Sequence, residues 1–119
     1  MKNTTIYLLL ILLIVGCAPT PMYYWGDYSN TLYKYKKDAT PEMLDKHKIE
    51  LLKIIEKSEK KDVRVPPGVH AELGYIFLIE GQKDQAIIHL KKEKLIYPES
   101  TKFIDDFTQN IEGENQDEN

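Results

Sequence analysis

With 119 residues, 42% of them apolar and 29% charged, the chain has material for one small domain with a single modest core. Its formal charge of −3 is concentrated at the end, where Glu112, Glu114, Asp117 and Glu118 have no base among them. Without those four acids and Lys2 the chain holds 15 acids and 15 bases. A body so balanced gives no electrostatic reason to bind nucleic acid, and residues 112–119 read as an acidic, solvated, disordered tail.

The chain opens with Lys2, an unbroken apolar run from Ile6 to Val15, and then Gly16-Cys17. Ten apolar residues are about half of what a membrane-spanning helix requires, so residues 1–16 are expected to be a signal peptide. Ile14-Val15-Gly16-Cys17 resembles a bacterial lipobox. That resemblance implies cleavage before Cys17 and a diacylglycerol on its sulfur. Ala18 stands where an Asp would be the usual signal for retention at the inner membrane, so the resemblance implies the inner leaflet of the outer membrane, facing the periplasm. Cys17 is the only cysteine, so no disulfide within the chain can support the fold.

Residues 17–24 read as a lipidated tether, stiffened by Pro19 and Pro21. The eight steps from Cys17 to Trp25 span roughly 26 Å when fully extended, which keeps the folded body near the bilayer. Tyr23, Tyr24, Trp25, Tyr28, Tyr33 and Tyr35 follow, half of the twelve aromatics in the chain. These rings fit either a small core or, for Tyr23, Tyr24 and Trp25, a membrane-proximal boundary that suits amphipathic aromatics.

The helical domain is expected over 25–111. Tyr28, Leu32 and Tyr35 share one face of a helix from about Asp27 to Lys37. Thr40-Pro41-Glu42 has the capping hydroxyl, first-turn proline and acid of a helix start. The helix it begins runs to about Lys60 and carries Leu44, His47, Leu51, Ile54, Ile55 and Ser58 on one face, with Glu42, Lys46, Glu50, Lys53 and Lys57 on a solvated one. Val63 to Gly68, with Pro66 and Pro67, form a loop that no helix crosses. Val69, Leu73, Ile76 and Phe77 then mark a third helix, ended by Gly81. A fourth begins near Asp84, expected to accept its free amides, and aligns Ala86, Ile87, Leu90 and Tyr97 before Pro98. Phe103, Ile104, Phe107 and Ile111 give a last helix from about Ser100 to Ile111.

Leu73-Gly74, Phe77, Gly81, Ala86, Leu90 and Pro98 fall in the order of a tetratricopeptide repeat, which this stretch resembles. His70 stands where the repeat usually has a bulky aromatic, and Glu93 where it has a small residue. The resemblance implies an all-α fold of antiparallel helical hairpins with a C-terminal capping helix, and a role in holding other proteins. It also implies that Ala71, Tyr75, Leu78 and Ile79 face a partner-binding groove. On the residues alone, a helix apolar nearly all round from Val69 to Ile79 is either buried on two sides or sticky on one.

No signature of catalysis, metal or cofactor appears. His47, His70 and His89 lie in separate segments, with His47 expected in the core and His89 on the surface, and the phosphate-loop, nucleophile-elbow and zinc-helix patterns are absent. Lys91, Lys92 and Lys94 read as a solvated face beside Glu93.

The lipobox, Tyr-Tyr-Trp-Gly-x-Tyr-Ser, Leu-Tyr-x-Tyr, Pro-Glu, and Pro-Pro-Gly before Leu-Gly-Tyr together resemble a small family of bacterial lipoproteins known as domain of unknown function 4810. In that family the gene commonly lies beside lipoproteins similar to the curli secretion channel subunit. The resemblance implies a shared envelope assembly, and the chain is read as a lipid-anchored adaptor or assembly factor of such a complex with such a lipoprotein as partner. Because repeat arrays usually need about three repeats to stand alone, a homodimer is one way to complete the core. A chaperone or pilot for a channel subunit, and a cell-wall hydrolase or its cofactor, are the alternatives.

Overall fold

A computed structural model describes Met1 and residues 19–113, with the backbone alone for 111–113. The signal segment, Cys17 and the tail beyond Gly113 lie outside the described residues. Five helices follow one another with no strand among the described residues: α1 (Tyr28–Lys37), α2 (Pro41–Lys60), α3 (Val69–Ile79), α4 (Lys83–Ile96) and α5 (Thr101–Gly113). A 3₁₀ turn (Pro98–Ser100) joins the last two. Consecutive helices pack on one another, α3 against α4 most extensively. None of the described helices is long and apolar enough to cross a membrane.

Local chemistry sets the boundaries. Thr40 Oγ1 accepts the Met43 amide at 3.3 Å and Pro41 opens α2, as the residue pattern requires. Both α2 and α3 end in the same closure. Asp62 (φ 52°) and Gly81 (φ 75°) take the left-handed conformation, and the residue after each donates its amide back to the last turn, Val63 to Ser58 O and Gln82 to Phe77 O. Asp84 does not cap α4 as expected. Gln82 stands at the cap position without a side-chain cap bond, and Asp84 lies two residues later, within the first turn of the helix.

The main core joins α2 to α3 through Leu51, Ile54, Ile55, Val65, Val69, Leu73 and Ile76, with Tyr24, Tyr28, Leu44, Phe77 and Ile96 packed against it. A second cluster holds Leu90 and Ile104, flanked by Ala71, Leu78 and Phe107, and seats α5. Gly74 is where α3 and α4 come closest. A Cβ there would lie 2.9 Å from Leu90 Cγ and 3.1 Å from the Ala86 carbonyl oxygen, so the Leu73-Gly74 pair serves contact between backbones. Tyr97 closes the bottom of the core, its phenol donating to the Val65 carbonyl at 2.7 Å.

Two buried glutamates correct the polarity reading. Glu50, assigned to the solvated face of α2, is 7% exposed, and its Oε1 accepts the Asp27 amide at 2.8 Å at the start of α1. Glu93, in the position where a small residue was expected, is 3% exposed. It accepts the Gly68 amide at 2.7 Å and the Ala71 amide at 3.3 Å at the start of α3. Gly68 (φ 87°) has no side chain with which to cap α3, so the next helix supplies the carboxylate.

Replacing Glu93 by Ala leaves two part-buried amides without this acceptor and a gap beneath the α3 start. We expect Glu93→Ala to lower the unfolding free energy by about 1–3 kcal/mol, read from the urea midpoint. Glu93→Gln, which keeps one acceptor oxygen, should lose less. Equal midpoints for Glu93→Ala and the native chain would show that the cap contributes nothing.

Candidate functional site

Two polar assemblies and one apolar groove meet on α3. In the first assembly His47 is fully enclosed. Its Nε2 lies 3.0 Å from Glu72 Oε1 and its Nδ1 lies 2.8 Å from Thr31 Oγ1, while the Tyr28 phenol donates to Glu72 Oε2 at 2.8 Å. Burial pushes the Glu72 carboxyl up, but the hydrogen bonds from His47 and Tyr28 outweigh it and hold the group below the usual carboxylate range. Burial and the same carboxylate push the Tyr28 phenol up to about 12. An ionised Glu72 accepts a hydrogen bond from Nε2, and Nδ1 is paired with the Thr31 hydroxyl. Hydroxyl, imidazole and carboxylate in line also make a nucleophilic triad. Here Thr31 Oγ1 is turned onto the Asp27 and Tyr28 carbonyls of its own helix turn, at 3.2 and 3.1 Å, and the row ties α1, α2 and α3 together.

The second assembly is one that reading the segments separately missed. His89, expected on the surface, is 8% exposed and lies with its Nδ1 2.9 Å from that of His70, itself 3% exposed. Phe77 stacks on the His89 ring at 5.4 Å between centroids. Only one of the two facing nitrogens can carry the shared hydrogen, so the two rings cannot both be imidazolium while this contact is made. Burial, then the neighbouring His89 and Lys92, lower the His70 pKa to about 4; burial and Lys92 lower that of His89. The signal was present in the sequence: His70 occupies a position where an aromatic ring is expected to pack, and an imidazole packs there as a ring.

The groove lies between α3 and α5. It encloses about 440 Å³ and is lined by Ala71, Tyr75, Leu90, Phe103 and Phe107, with Glu72 as its one charged residue. Phe103 and Phe107, one helical turn apart, lie with their rings parallel at 6.2 Å, and Tyr75 approaches Phe107 at 6.3 Å. Tyr75 is 52% exposed and Phe103 66% exposed. Of the four residues expected to line a partner groove, Ala71 and Tyr75 do line this one. Leu78 is half-buried in the α5 cluster, and Ile79 opens onto a different hollow with Tyr35, Pro41 and Leu44. Phe103 and Phe107, taken from the sequence as helix packing residues, complete the groove.

The aromatic block divides. Tyr24 packs on the main core and receives Lys61 over its ring at 5.7 Å. Tyr23 sits beside Tyr97, whose phenol is raised by burial and by that neighbour. Trp25 stays at the surface, 41% exposed, edge-on to Tyr28 at 5.2 Å. Among the described residues no group of three or more metal-ligating side chains converges.

Fold and site together define a small all-helical protein with a polar-tied core and an open apolar groove. Residues 22–107 match the family model described as Domain of unknown function (DUF4810), and the chain belongs to that family. No curated protein and no solved structure matches it.

The histidine pair fixes an acid limb of stability. Lowered folded-state values mean that the unfolded chain takes up protons first, so stability falls as pH drops from about 6.5 toward 4. The loss for His70 is at most roughly 3 kcal/mol. Most of this window lies above the range in which carboxylates protonate. We expect the urea midpoint to decline across it and His70→Phe to flatten the decline. An identical slope in His70→Phe would remove the pair as its cause.

Proposed function

We propose that this protein is a lipid-anchored adaptor of the outer membrane that faces the periplasm and holds an apolar segment of a partner protein in the groove between α3 and α5. One observation carries the reading: Tyr75 and Phe103 leave aromatic surface open to solvent in a groove floored by Ala71 and Leu90. A rigid ring gives large contact area for little lost conformational entropy, which favours binding surfaces. The lipobox-like Ile14-Val15-Gly16-Cys17 supports the anchor, and the two acyl chains of a diacylglycerol would hold where one is marginal.

In this reading α1–α2 and α3–α4 are tetratricopeptide-like hairpins and α5 is the helix that covers the end of the stack. The buried glutamate at the head of each pair supports a repeated unit. The proposed partner is an envelope lipoprotein similar to the curli secretion channel subunit, which the adaptor would help assemble. A pilot that escorts the channel subunit uses the same groove and differs only in releasing its cargo.

Photo-reactive probes at Tyr75 and at Phe103, with a third at the exposed Glu59 on α2, test the groove in cells. We expect one shared envelope adduct at Tyr75 and Phe103 and none at Glu59. Phe103→Asp should abolish the Tyr75 adduct while changing stability by less than about 0.5 kcal/mol, since the ring is exposed. Adducts at all three sites alike, or a Tyr75 adduct that survives Phe103→Asp, would remove the groove as the binding site.

A further inference from the structure

α1 differs from every other helix in its charge. Its sequence, YSNTLYKYKK, holds Lys34, Lys36 and Lys37 and no acid, whereas α2, α3, α4 and α5 each contain Asp or Glu. On α2 four of the five lysines are matched: Lys46 with Glu42, Lys48 with Glu80, Lys53 with Glu50 and Lys60 with Glu56. None of the three α1 lysines forms a salt bridge with a described residue.

The placement is as uneven as the composition. Tyr28, Thr31, Leu32 and Tyr35 turn toward the body. At 100° per residue, Asn30, Tyr33, Lys34 and Lys37 then share the outer face, with Lys36 at its flank. All five are exposed, Tyr33 at 65%. Trp25 lies at the start of the same helix, and Met22, on the chain side that leads back to the apolar run, is 73% exposed. An amphipathic ring at each of two points and a cationic end, spread over about 15 Å of helix, match the polar boundary of a bilayer carrying negative charge.

We propose that the outer face of α1, with Trp25, docks on anionic phospholipid headgroups, so that the body lies on the membrane with α1 against it. The inference rests on the lipid-anchored half of the reading above and is independent of what the groove holds. The lysines supply the attraction, at about fivefold per residue near such a surface, and three together shift the docked-to-free ratio by about a hundredfold. Trp25 and Tyr33 enter the headgroup layer. Lys91 and Lys92 on α4 do not take part, since α4 also carries Asp84 and its Lys94 is held by Asp105 at 2.6 Å.

Trp25 is the only tryptophan in the chain, so its emission reports this surface alone. The full-length protein purified from membranes, with its acylation read by mass, is reconstituted into vesicles whose lipids carry brominated acyl chains. One set is phosphatidylcholine, the other contains about a third phosphatidylglycerol. We expect quenching of Trp25 at least about twofold stronger in the anionic set, falling to the phosphatidylcholine level in roughly 0.5 M salt, where screening acts within a few ångströms. The substitutions K34E, K36E and K37E together should give the same fall with an unchanged helical spectrum, and K91E with K92E should not. Equal quenching in both vesicle sets, with the protein floating with both, would overturn the docking and leave the anchor standing. An unacylated chain that does not float with the phosphatidylcholine vesicles would overturn the anchor instead, and salt-sensitive quenching in anionic vesicles would still support the docking face.

Discussion

A buried carboxylate set against the first amides of a helix is the interaction on which this fold turns. Glu50 on α2 meets the start of α1, and Glu93 on α4 meets the start of α3, across 23 and 25 residues of sequence. In both places glycine takes a left-handed conformation beside the carboxylate, Gly26 at φ 50° and Gly68 at φ 87°. Gly68 has no side chain with which to cap α3, and at α1 the Asp27 carboxylate accepts from Asn30 and makes no cap bond of its own. A Cβ at Gly26 would collide with Glu50 Oε1. The carboxylate must therefore come from the returning helix, and it does so only when that helix lies at one distance and rotation. The cap thus fixes pair geometry as well as satisfying amides, and a negative group at the positive end of the helix dipole adds to its strength.

α3 explains why the first polar assembly and the groove are adjacent. One side of this helix is spent on the main core through Val69, Leu73 and Ile76, another on the α5 cluster through Leu78. Glu72 stands between them and spends both carboxylate oxygens, on His47 and on Tyr28. A carboxylate so occupied has little capacity left for a ligand, so what the groove offers is ring surface and shape. The helix that seemed apolar all round is apolar because it serves two clusters and a groove, and the question of core or sticky surface resolves residue by residue.

The helices were legible because each has its own local signal: Thr40-Pro41 before α2, Gly81 after α3, Pro98 after α4, and apolar spacing within each. The polar interior was not. A helical wheel sorts Glu50 with Glu42 and Lys46 because it knows only side-chain type, while burial of Glu50 depends on an amide from a residue 23 positions earlier. His89 failed likewise, since its partner His70 lies on another helix 19 positions away. Glu93 was visible as a departure from its repeat position, and the physics of an uncapped Gly68 could have named its role. For the groove, Ala71 and Tyr75 followed from the repeat pattern, whereas Phe103 and Phe107 looked like ordinary helix packing at i and i+4.

The attachment of α1 bears on how the two proposed surfaces work together. No residue of α1 falls in the most buried class, so apolar contact alone holds it weakly. It is held instead at defined points: the Asp27 amide on Glu50, Thr31 on His47, and Tyr28 on Glu72. Apolar packing tolerates sliding, but hydrogen bonds to enclosed acceptors fix register, because a slipped helix leaves them unpaired. Glu72 is at once the anchor for α1 and part of the groove wall. A helix docked on the membrane by its outer face would therefore carry the groove in a set orientation, and the opening between α3 and α5 would present its partner segment at one height and angle above the lipid. A flexible tether gives proximity alone. With α1 docked as proposed, its polar ties would convert proximity into orientation, which the proposed adaptor between a membrane and a second protein requires.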